Sequence, residues 1–193
     1  MTNLAIVYHS GFGHTKVQAE AVALGARSVE GTNVALIPVE EAEAHATDID
    51  DADAVIFGAP TYMGSVSAPM KAFMDWSSKA WADGRWRNKI AAGFTNSGSL
   101  SGDKLNTLVQ LAIFAAQHGM IWVSLGLMPG NSTSTGSADD LNRIGSFLGA
   151  MAQSNTDEGP DIAPIESDRD TAEYLGRRVA EVAQALAGAK LAA

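Results

Sequence analysis

The sequence predicts a doubly wound α/β fold, in which a five-stranded parallel sheet of order 2-1-3-4-5 forms the middle of three α/β/α layers. Two observations predict it. Short apolar runs recur along the chain, and stretches in which apolar residues have helical spacing separate them. Parallel strands need a crossover connection, usually a helix, so repeated strand–helix alternation indicates a parallel sheet. In such sheets ligands bind beyond the carboxyl ends of the strands.

Five runs have the length and composition of buried strands. They are short and rich in Val, Ile or aromatic residues, and they lack the strict polar alternation of a sheet with one face in water. The predicted strands are LAIVYH (4–9), VALIPV (34–39), AVIFGA (54–59), IAAGFT (90–95) and MIWVSLG (120–126).

Four helices are predicted from stripes of apolar residues at helical spacing. Pro69 suits the first turn of the second helix, where its missing N–H costs nothing. The acidic stretch after the second strand is left open. The four stripes are Val17, Ala21 and Leu24; Met70, Phe73 and Met74; Leu105, Leu108, Leu111 and Ala112; and Tyr174, Val179 and Val182.

One segment, 129–169, does not fit this minimal plan, because it is roughly three times longer than the usual connection. It is rich in Gly, Ser, Thr, Asn and Asp. Helical spacing of Leu141, Ile144, Leu148 and Met151 predicts a short helix within it. We expect a lid or an oligomer contact on the ligand side of one domain that spans 1–193.

Composition excludes several classes of function. The net charge of −9 disfavours nucleic acid, which binds to basic surfaces. Without any cysteine there is no disulfide, thiolate chemistry or cysteine-ligated metal. No H-E-x-x-H or comparable spacing indicates a metal site. The N-terminus lacks the features of a signal peptide, and no apolar run reaches the roughly 18 residues of a membrane span. We therefore expect a cytoplasmic protein without membrane insertion.

The loop after the first strand, SGFGHT (10–15), has the features of a phosphate site. Unpaired N–H groups and the helix dipole favour an anion at the start of the next helix. Ser10 and Thr15 add hydroxyl donors, while Gly11 and Gly13 allow the main chain to approach a ligand closely. The run reads G-x-G-x-x-K, so it is neither a dinucleotide fingerprint nor a Walker loop.

Unusual loops also follow the third and fourth strands. The third strand leads into PTYMGS (60–65), which contains an aromatic residue, and the fourth into NSGSLSG (96–102), which is rich in small donors. A flat heteroaromatic ring with a phosphate tail would use all three loops. The interpretation that fits them is FMN.

These stretches resemble a known family. SGFGHT, GAPTYMGSVSAPMKAFMD and FTNSGSLSGDK, in that order, are similar to flavodoxin-like FMN proteins, and most to NAD(P)H:quinone oxidoreductases of the tryptophan-repressor-binding-protein (WrbA) type. The 129–169 segment does not match that family's usual loop. The resemblance assigns the phosphate and ribityl chain to Ser10, Gly11, Phe12, Gly13, His14 and Thr15, and the border of the isoalloxazine ring to Pro60, Thr61, Tyr62, Met63, Asn96, Ser97, Gly98, Ser99, Leu100 and Ser101.

The same resemblance assigns a catalytic role to His118 and substrate contacts to Trp81 and Phe12. Trp81 and His118 each end a helix that runs away from the flavin loops, so both belong at the opposite edge of the sheet. They can meet a flavin only in another subunit, and this requires a homo-oligomer, either a dimer or a tetramer.

The resemblance implies an FMN-dependent NAD(P)H:quinone oxidoreductase. FMN would be tightly bound, with NADH or NADPH as donor, and hydride would pass to a quinone-like acceptor in two-electron, ping-pong steps. The third loop has no aromatic residue and only Asp103 as a nearby acid, which favours an accessible flavin face. The alternatives are a flavodoxin-type electron carrier, an NAD(P)H-dependent FMN reductase and a flavin-bound regulatory or scaffold protein.

Overall fold

A computed structural model describes residues 1–187 of the chain. Seven strands and six α-helices lie within this range, together with one 3₁₀ turn, Val39–Glu41, in the part of the acidic stretch that directly follows the second strand. The strands are β1 (Thr2–Tyr8), β2 (Thr32–Pro38), β3 (Ala54–Tyr62), β4 (Ser65–Val66), β5 (Ile90–Ser97), β6 (Ile121–Trp122) and β7 (Ala150–Gln153). The helices are α1 (His14–Arg27), α2 (Ala46–Asp51), α3 (Ala68–Trp76), α4 (Ser78–Ala82), α5 (Lys104–Gln117) and α6 (Glu166–Ala187).

The strands form one sheet in the order β2-β1-β3-β5-β6, with β4 added antiparallel to β3 and β7 added parallel to β5. Helices α1 and α6 pack on one face and contribute to one apolar core, whereas α2 to α5 contribute to the core on the other face. The predicted three-layer arrangement with a parallel main sheet is confirmed. The predicted number of five strands is wrong, because β4 and β7 were not expected.

The fifth strand position is divided between two segments. β6 pairs with the start of β5, at Ile90 and Ala91, and β7 pairs with its end, from Phe94 to Ser97. Between β6 and β7 the chain leaves the sheet as an excursion, residues 123–149. The backbone N–H of Leu125 donates to the carbonyl of Phe147 over 3.0 Å, which closes the base of this excursion. The predicted strand 120–126 is therefore shortened to two residues.

The short helix predicted within 129–169 is absent from the described chain. Met151, the last residue of its apolar stripe, lies in β7, where β5 satisfies the strand's backbone groups. The segment is also anchored to α6, because Arg143 donates two bonds of 2.8 Å to the buried carboxylate of Asp168. The same carboxylate accepts the backbone N–H of Gln153. Bidentate, buried pairs of this kind fix geometry strongly.

Helix α1 lies close against α6, and its buried face differs from the predicted stripe. Leu24 of that stripe is 58% exposed. A Cβ added to Gly25 would overlap the carbonyl oxygen of Glu173, and one added to Gly176 would overlap that of Val22. These two glycines let the helix backbones touch and so rotate α1. Its buried residues are Thr15, Gln18, Ala19, Val22, Ala23, Gly25 and Ala26.

We expect Gly25→Ala to lower the free energy of unfolding by about 1–3 kcal/mol, because the added methyl group must push the two helices apart. Alanine is intrinsically the better helix former, so propensity alone predicts the opposite sign. Urea denaturation measures the change. Leu24→Ala, one position away on the exposed face, is the control and should stay within about 0.5 kcal/mol of the wild type. Unchanged stability of Gly25→Ala would refute the close helix contact.

Candidate functional site

A cavity of about 460 Å³ lies beyond the carboxyl ends of the central strands. Its volume falls in the range of roughly 300–1,000 Å³ that is typical of small-molecule sites. Four chain segments line it, namely the loop after β1, the carboxyl end of β3, the carboxyl end of β5 with Gly98, and the loop after β7. The lining residues are Phe12, His14, Thr15, Pro60, Thr61, Tyr62, Asn96, Ser97, Gly98, Ser154, Thr156 and Glu158.

The first loop presents the start of α1 to this cavity. Gly13 has a φ of 91°, a left-handed conformation that favours glycine, and a Cβ there would lie 2.8 Å from Cγ of Pro160. The Ser10 hydroxyl oxygen accepts the backbone N–H of Lys16 over 3.0 Å. The N–H groups of His14 and Thr15 have no hydrogen-bond partner within the described part of the chain. They remain able to bind an anion.

Two aromatic side chains form one side of the cavity. The rings of Phe12 and Tyr62 meet edge to face, with their centroids 6.2 Å apart. A Cβ on Gly11 would lie 2.6 Å from the Tyr62 hydroxyl, so glycine permits this close approach. Burial raises the pKa of Tyr62, while a backbone hydrogen bond from Gly11 opposes that rise. Tyr62 is thus a neutral phenol at physiological pH.

Buried hydroxyl and amide groups support the second and third loops. Thr61 Oγ1 lies 2.8 Å from Thr95 Oγ1 and 2.7 Å from Thr107 Oγ1. The Ser154 hydroxyl donates to Oδ1 of Asn96 over 3.0 Å. Because this bond occupies the amide oxygen, the Nδ2 group of Asn96 is the one left to donate to a ligand.

Sequence reasoning missed the fourth wall of the cavity, which is formed by Ser154, Thr156 and Glu158. This wall reaches the first loop, where Nε2 of His14 hydrogen-bonds to the carbonyl oxygen of Glu158 over 2.9 Å. A signal was present in the sequence. The polar run QSNTDEG follows a short apolar run, GAMA, just as the other three loops follow strands.

The predicted cofactor residues fall into three groups. Those of the first loop line or flank the cavity, together with Pro60, Thr61, Tyr62, Asn96, Ser97 and Gly98. Met63 and Ser99 line an adjoining space of about 440 Å³, which shares Thr61, Ser97, Gly98 and Thr156 with the first cavity. The structure does not bring Leu100 and Ser101 to either space. They line a separate cavity of about 700 Å³, with Lys104 and Arg143 among its other residues.

Trp81 and His118 both line a further cavity of about 400 Å³. α5 starts at the carboxyl end of β5, and His118 follows its last turn just before β6, so this cavity lies at the opposite edge of the sheet. Trp81 is 50% exposed, whereas His118 is only 6% exposed. Trp86 lies beside His118 but is fully buried, so it adds no exposed apolar surface at this cavity.

The imidazole of His118 is held in a fixed position. It stacks on Trp86 with the ring centroids 4.3 Å apart, and its Nε2 lies 2.9 Å from the Ser77 hydroxyl. Burial lowers the pKa of His118 to about 4. The ring is therefore neutral at pH 7, where one ring nitrogen can donate a hydrogen bond and the other can accept one.

Two features are absent from residues 1–187. No helix in that range combines the length and the apolar character that a bilayer crossing requires. No three or more His, Asp or Glu side chains in it come together as metal ligands.

A parallel sheet between two layers of helices, with a ligand cavity at the carboxyl ends of the strands, is the architecture of flavodoxin-like proteins. The chain belongs to the NADPH-dependent FMN reductase family, whose model matches residues 16–133. This membership, together with the relatives below, confirms the resemblance that the three loop motifs predict.

Three relatives cover almost the whole chain. Flavodoxin FldP of Pseudomonas aeruginosa is 44% identical over 188 residues, which cover 96% of this chain and 99% of that protein. An NAD(P)H dehydrogenase (quinone) of Archaeoglobus fulgidus is 34% identical and covers 96% and 100%. The crystal structure of a WrbA-like flavodoxin from Agrobacterium tumefaciens is 42% identical, with a TM-score of 0.75 and coverage of 96% and 99%.

Proposed function

We propose that this protein is an FMN-dependent NAD(P)H oxidoreductase that reduces a quinone-like acceptor. The observation that carries the proposal is the asymmetry of the cavity. Its phenyl and phenol rings, Phe12 and Tyr62, come from the first two loops, whereas the described lining from the loops after β5 and β7 has neither. A ring held in this cavity would keep one face open to a second planar molecule.

The donor groups fit FMN. The free N–H groups of His14 and Thr15, with the hydroxyls of Ser10 and Thr15, suit a phosphate. Asn96 and Ser97 line the part of the cavity that would border the ring, and Nδ2 of Asn96 has no partner among residues 1–187. FMN, when bound, supplies the hydride chemistry. The protein's own contribution is to bind and orient it and to keep preorganised donors near the ring.

The acceptor and the donor are proposed from relatives. Several relatives are named NAD(P)H dehydrogenase (quinone), and those from Archaeoglobus fulgidus and Paracoccus denitrificans are each 34% identical to this chain. We assign this chain the same reaction class, with NADH or NADPH as donor. Free flavin is a further acceptor to be compared, because the family is described by FMN reduction.

A steady-state assay of the FMN-loaded protein tests the proposal. We expect benzoquinone-dependent oxidation of NADH or NADPH, with parallel lines in double-reciprocal plots because the nucleotide leaves before the acceptor binds. The same protein, titrated anaerobically with dithionite, should pass to the reduced state with little flavin radical. Rapid reduction of free FMN, with no turnover of benzoquinone, would show that the acceptor is a flavin and not a quinone.

A flavodoxin-type carrier is the second candidate. Two observations favour it: the relative at 44% identity is named a flavodoxin, and Asp157 and Glu158 of the fourth wall place acidic residues at the site. Acidic groups beside a flavin disfavour added negative charge and so favour one-electron steps. A large, stable radical fraction in the dithionite titration, with no nucleotide oxidation, would establish the carrier.

For the enzyme we further propose a homo-oligomer in which the Trp81–His118 cavity of one subunit faces the flavin of another. Support comes from the position of both residues at the edge of the sheet remote from their own flavin loops. The exposed face of Trp81 suits contact with a planar acceptor. His118, which is neutral at pH 7, would serve as a hydrogen-bonding group behind it.

A further inference from the structure

A buried lysine lies beneath the third loop. Lys104 is the first residue of α5 and is 0% exposed, although lysine is almost never fully buried unless it is paired. Its ammonium group donates three hydrogen bonds, to Oγ of Ser97 over 2.9 Å, to the carbonyl of Ser99 over 2.8 Å and to the carbonyl of Leu100 over 2.9 Å. All three protons of the ammonium group are therefore used within this loop.

These bonds determine the shape of the loop. C=O and N–H point in opposite directions in a trans peptide, so the inward carbonyls of Ser99 and Leu100 turn the next two N–H groups to the other side of the chain. Ser97 lines the cavity, and its hydroxyl donates a hydrogen bond to the carbonyl of Ser99 over 3.0 Å. Gly102, at a φ of 55°, allows the loop to close, since a Cβ there would overlap Ser97. The side chain of Ser97 therefore lies between the Lys104 ammonium group and the cavity.

No carboxylate touches this ammonium group within the described residues. Asp168 of α6 attracts it from a distance, but that carboxylate already binds Arg143, whose charge repels Lys104. Asp103, like Lys104 and Arg143, lines the separate cavity of about 700 Å³. Burial lowers the pKa of Lys104 to about 8, with Asp168 raising it and Arg143 lowering it. At neutral pH the group is still charged, and that charge is poorly compensated.

We propose that Lys104 is a positioning residue, which fixes the third loop against the flavin ring and makes reduction of the bound FMN more favourable by its positive charge. The inference rests on the FMN binding of the proposed function. A hydride from the nicotinamide would add two electrons and one proton to bound FMN and leave the nucleotide oxidised. The reduced ring would therefore carry one more negative charge than the oxidised ring. A buried cation stabilises this anion relative to the neutral oxidised ring.

The expected size follows from Coulomb's law. At an effective dielectric constant of about 20, a full charge about 10 Å away changes an equilibrium constant on the order of tenfold. For a two-electron couple, a tenfold change corresponds to about 30 mV. Lys104→Met should therefore lower the midpoint potential of bound FMN by about that amount, whereas Lys104→Arg, which keeps the charge, should stay near the wild-type potential. The difference between Lys104→Met and wild type should shrink as pH rises above about 8, where Lys104 loses its charge.

A second measurement needs no change of charge in the protein. By linkage, if Lys104 favours reduced FMN tenfold, reduction must raise the pKa of Lys104 by about one unit. NMR titration of ¹³Cε-labelled lysines in the FMN-loaded protein, oxidised and reduced, measures this shift, with Lys104→Arg identifying the resonance. Lys89 is the matched control. It is half-buried and donates to the carbonyls of Asp50 and Ala52 at the other edge of the sheet, so its pKa should not change.

The outcomes separate the two proposals. If the wild-type protein binds no FMN, the proposed function is wrong. If it binds FMN and the pKa of Lys104 is the same in both redox states, the Lys104 inference is overturned. Equal potentials of wild type and a folded, FMN-loaded Lys104→Met would overturn it as well. If Lys104→Met does not fold or does not load, the NMR titration of the wild type decides.

Discussion

Replacing Ser10 and Thr15 together by alanine should weaken FMN binding by about 2–4 kcal/mol, which corresponds to an increase in Kd of roughly 30- to 1,000-fold. A hydrogen bond to a charged acceptor contributes about 1.5–3 kcal/mol, and each of these hydroxyls can donate one to a phosphate. Ser10 has a further role, since its hydroxyl oxygen accepts the N–H of Lys16 and holds the first loop in shape. Quenching of flavin fluorescence on binding measures Kd.

The matched control is the double variant Thr47→Ala and Ser134→Ala. It removes the same two groups from exposed positions outside the cavity lining. We expect its Kd to equal that of the wild type. Thermal denaturation of both apo variants separates lost affinity from lost stability. An unchanged Kd in the Ser10 and Thr15 variant would show that the first loop does not bind the phosphate of FMN.

The second large effect is expected on assembly. Diluting the FMN-loaded protein below its assembly constant should abolish quinone turnover before flavin is released, because the proposed acceptor site needs a second subunit. Trp81→Ala should raise the KM for the quinone by about tenfold or more, as truncation of a central tryptophan typically costs well over 1 kcal/mol. FMN affinity should change little, since Trp81 is not part of the FMN cavity.

Trp76 provides the control for that substitution. It is 39% exposed and lines a different surface cleft, with Val39 and Glu40, so Trp76→Ala should leave the KM for quinone unchanged. Sedimentation at the assay concentrations gives the oligomeric state directly. A monomer with full specific activity would contradict the shared site and the roles proposed for Trp81 and His118.

The sequence was sufficient for the layers of the fold and for three walls of the cavity. Their residues lie at the carboxyl ends of strands with strong apolar runs or directly after them, and parallel strands bring their carboxyl ends to one edge. That is why Thr15, Thr61 and Asn96, remote from one another in the chain, line the same cavity.

The fourth wall depends on contacts that local patterns do not contain. β7 has four residues and only Ala and Met as apolar side chains, so its register comes from pairing with β5, whose sequence lies more than 50 positions earlier. Its neighbourhood has helical spacing instead, and that spacing misled the prediction. In α1, the contact of Gly25 with α6 determines which face is buried. The spacing of apolar residues within α1 alone contains no information about this contact. Burial of Lys104 likewise contradicts the usual preference of its residue type.

The closed base of the excursion has a consequence for how the chain can vary in length. Leu125 and Phe147 are hydrogen-bonded, and the Trp122 indole donates to the carbonyl of Leu148, so both ends of the excursion are fixed to one position of the sheet. Lengthening a loop between fixed ends costs little, since each doubling adds only about 0.6 kcal/mol of closure entropy. Insertions or a grafted peptide within the exposed residues 131–135, away from the Arg143 anchor, would therefore leave β6 and β7 in register. Evolution, or an engineer, can remodel this part of the surface while the four loops that form the cavity keep their places.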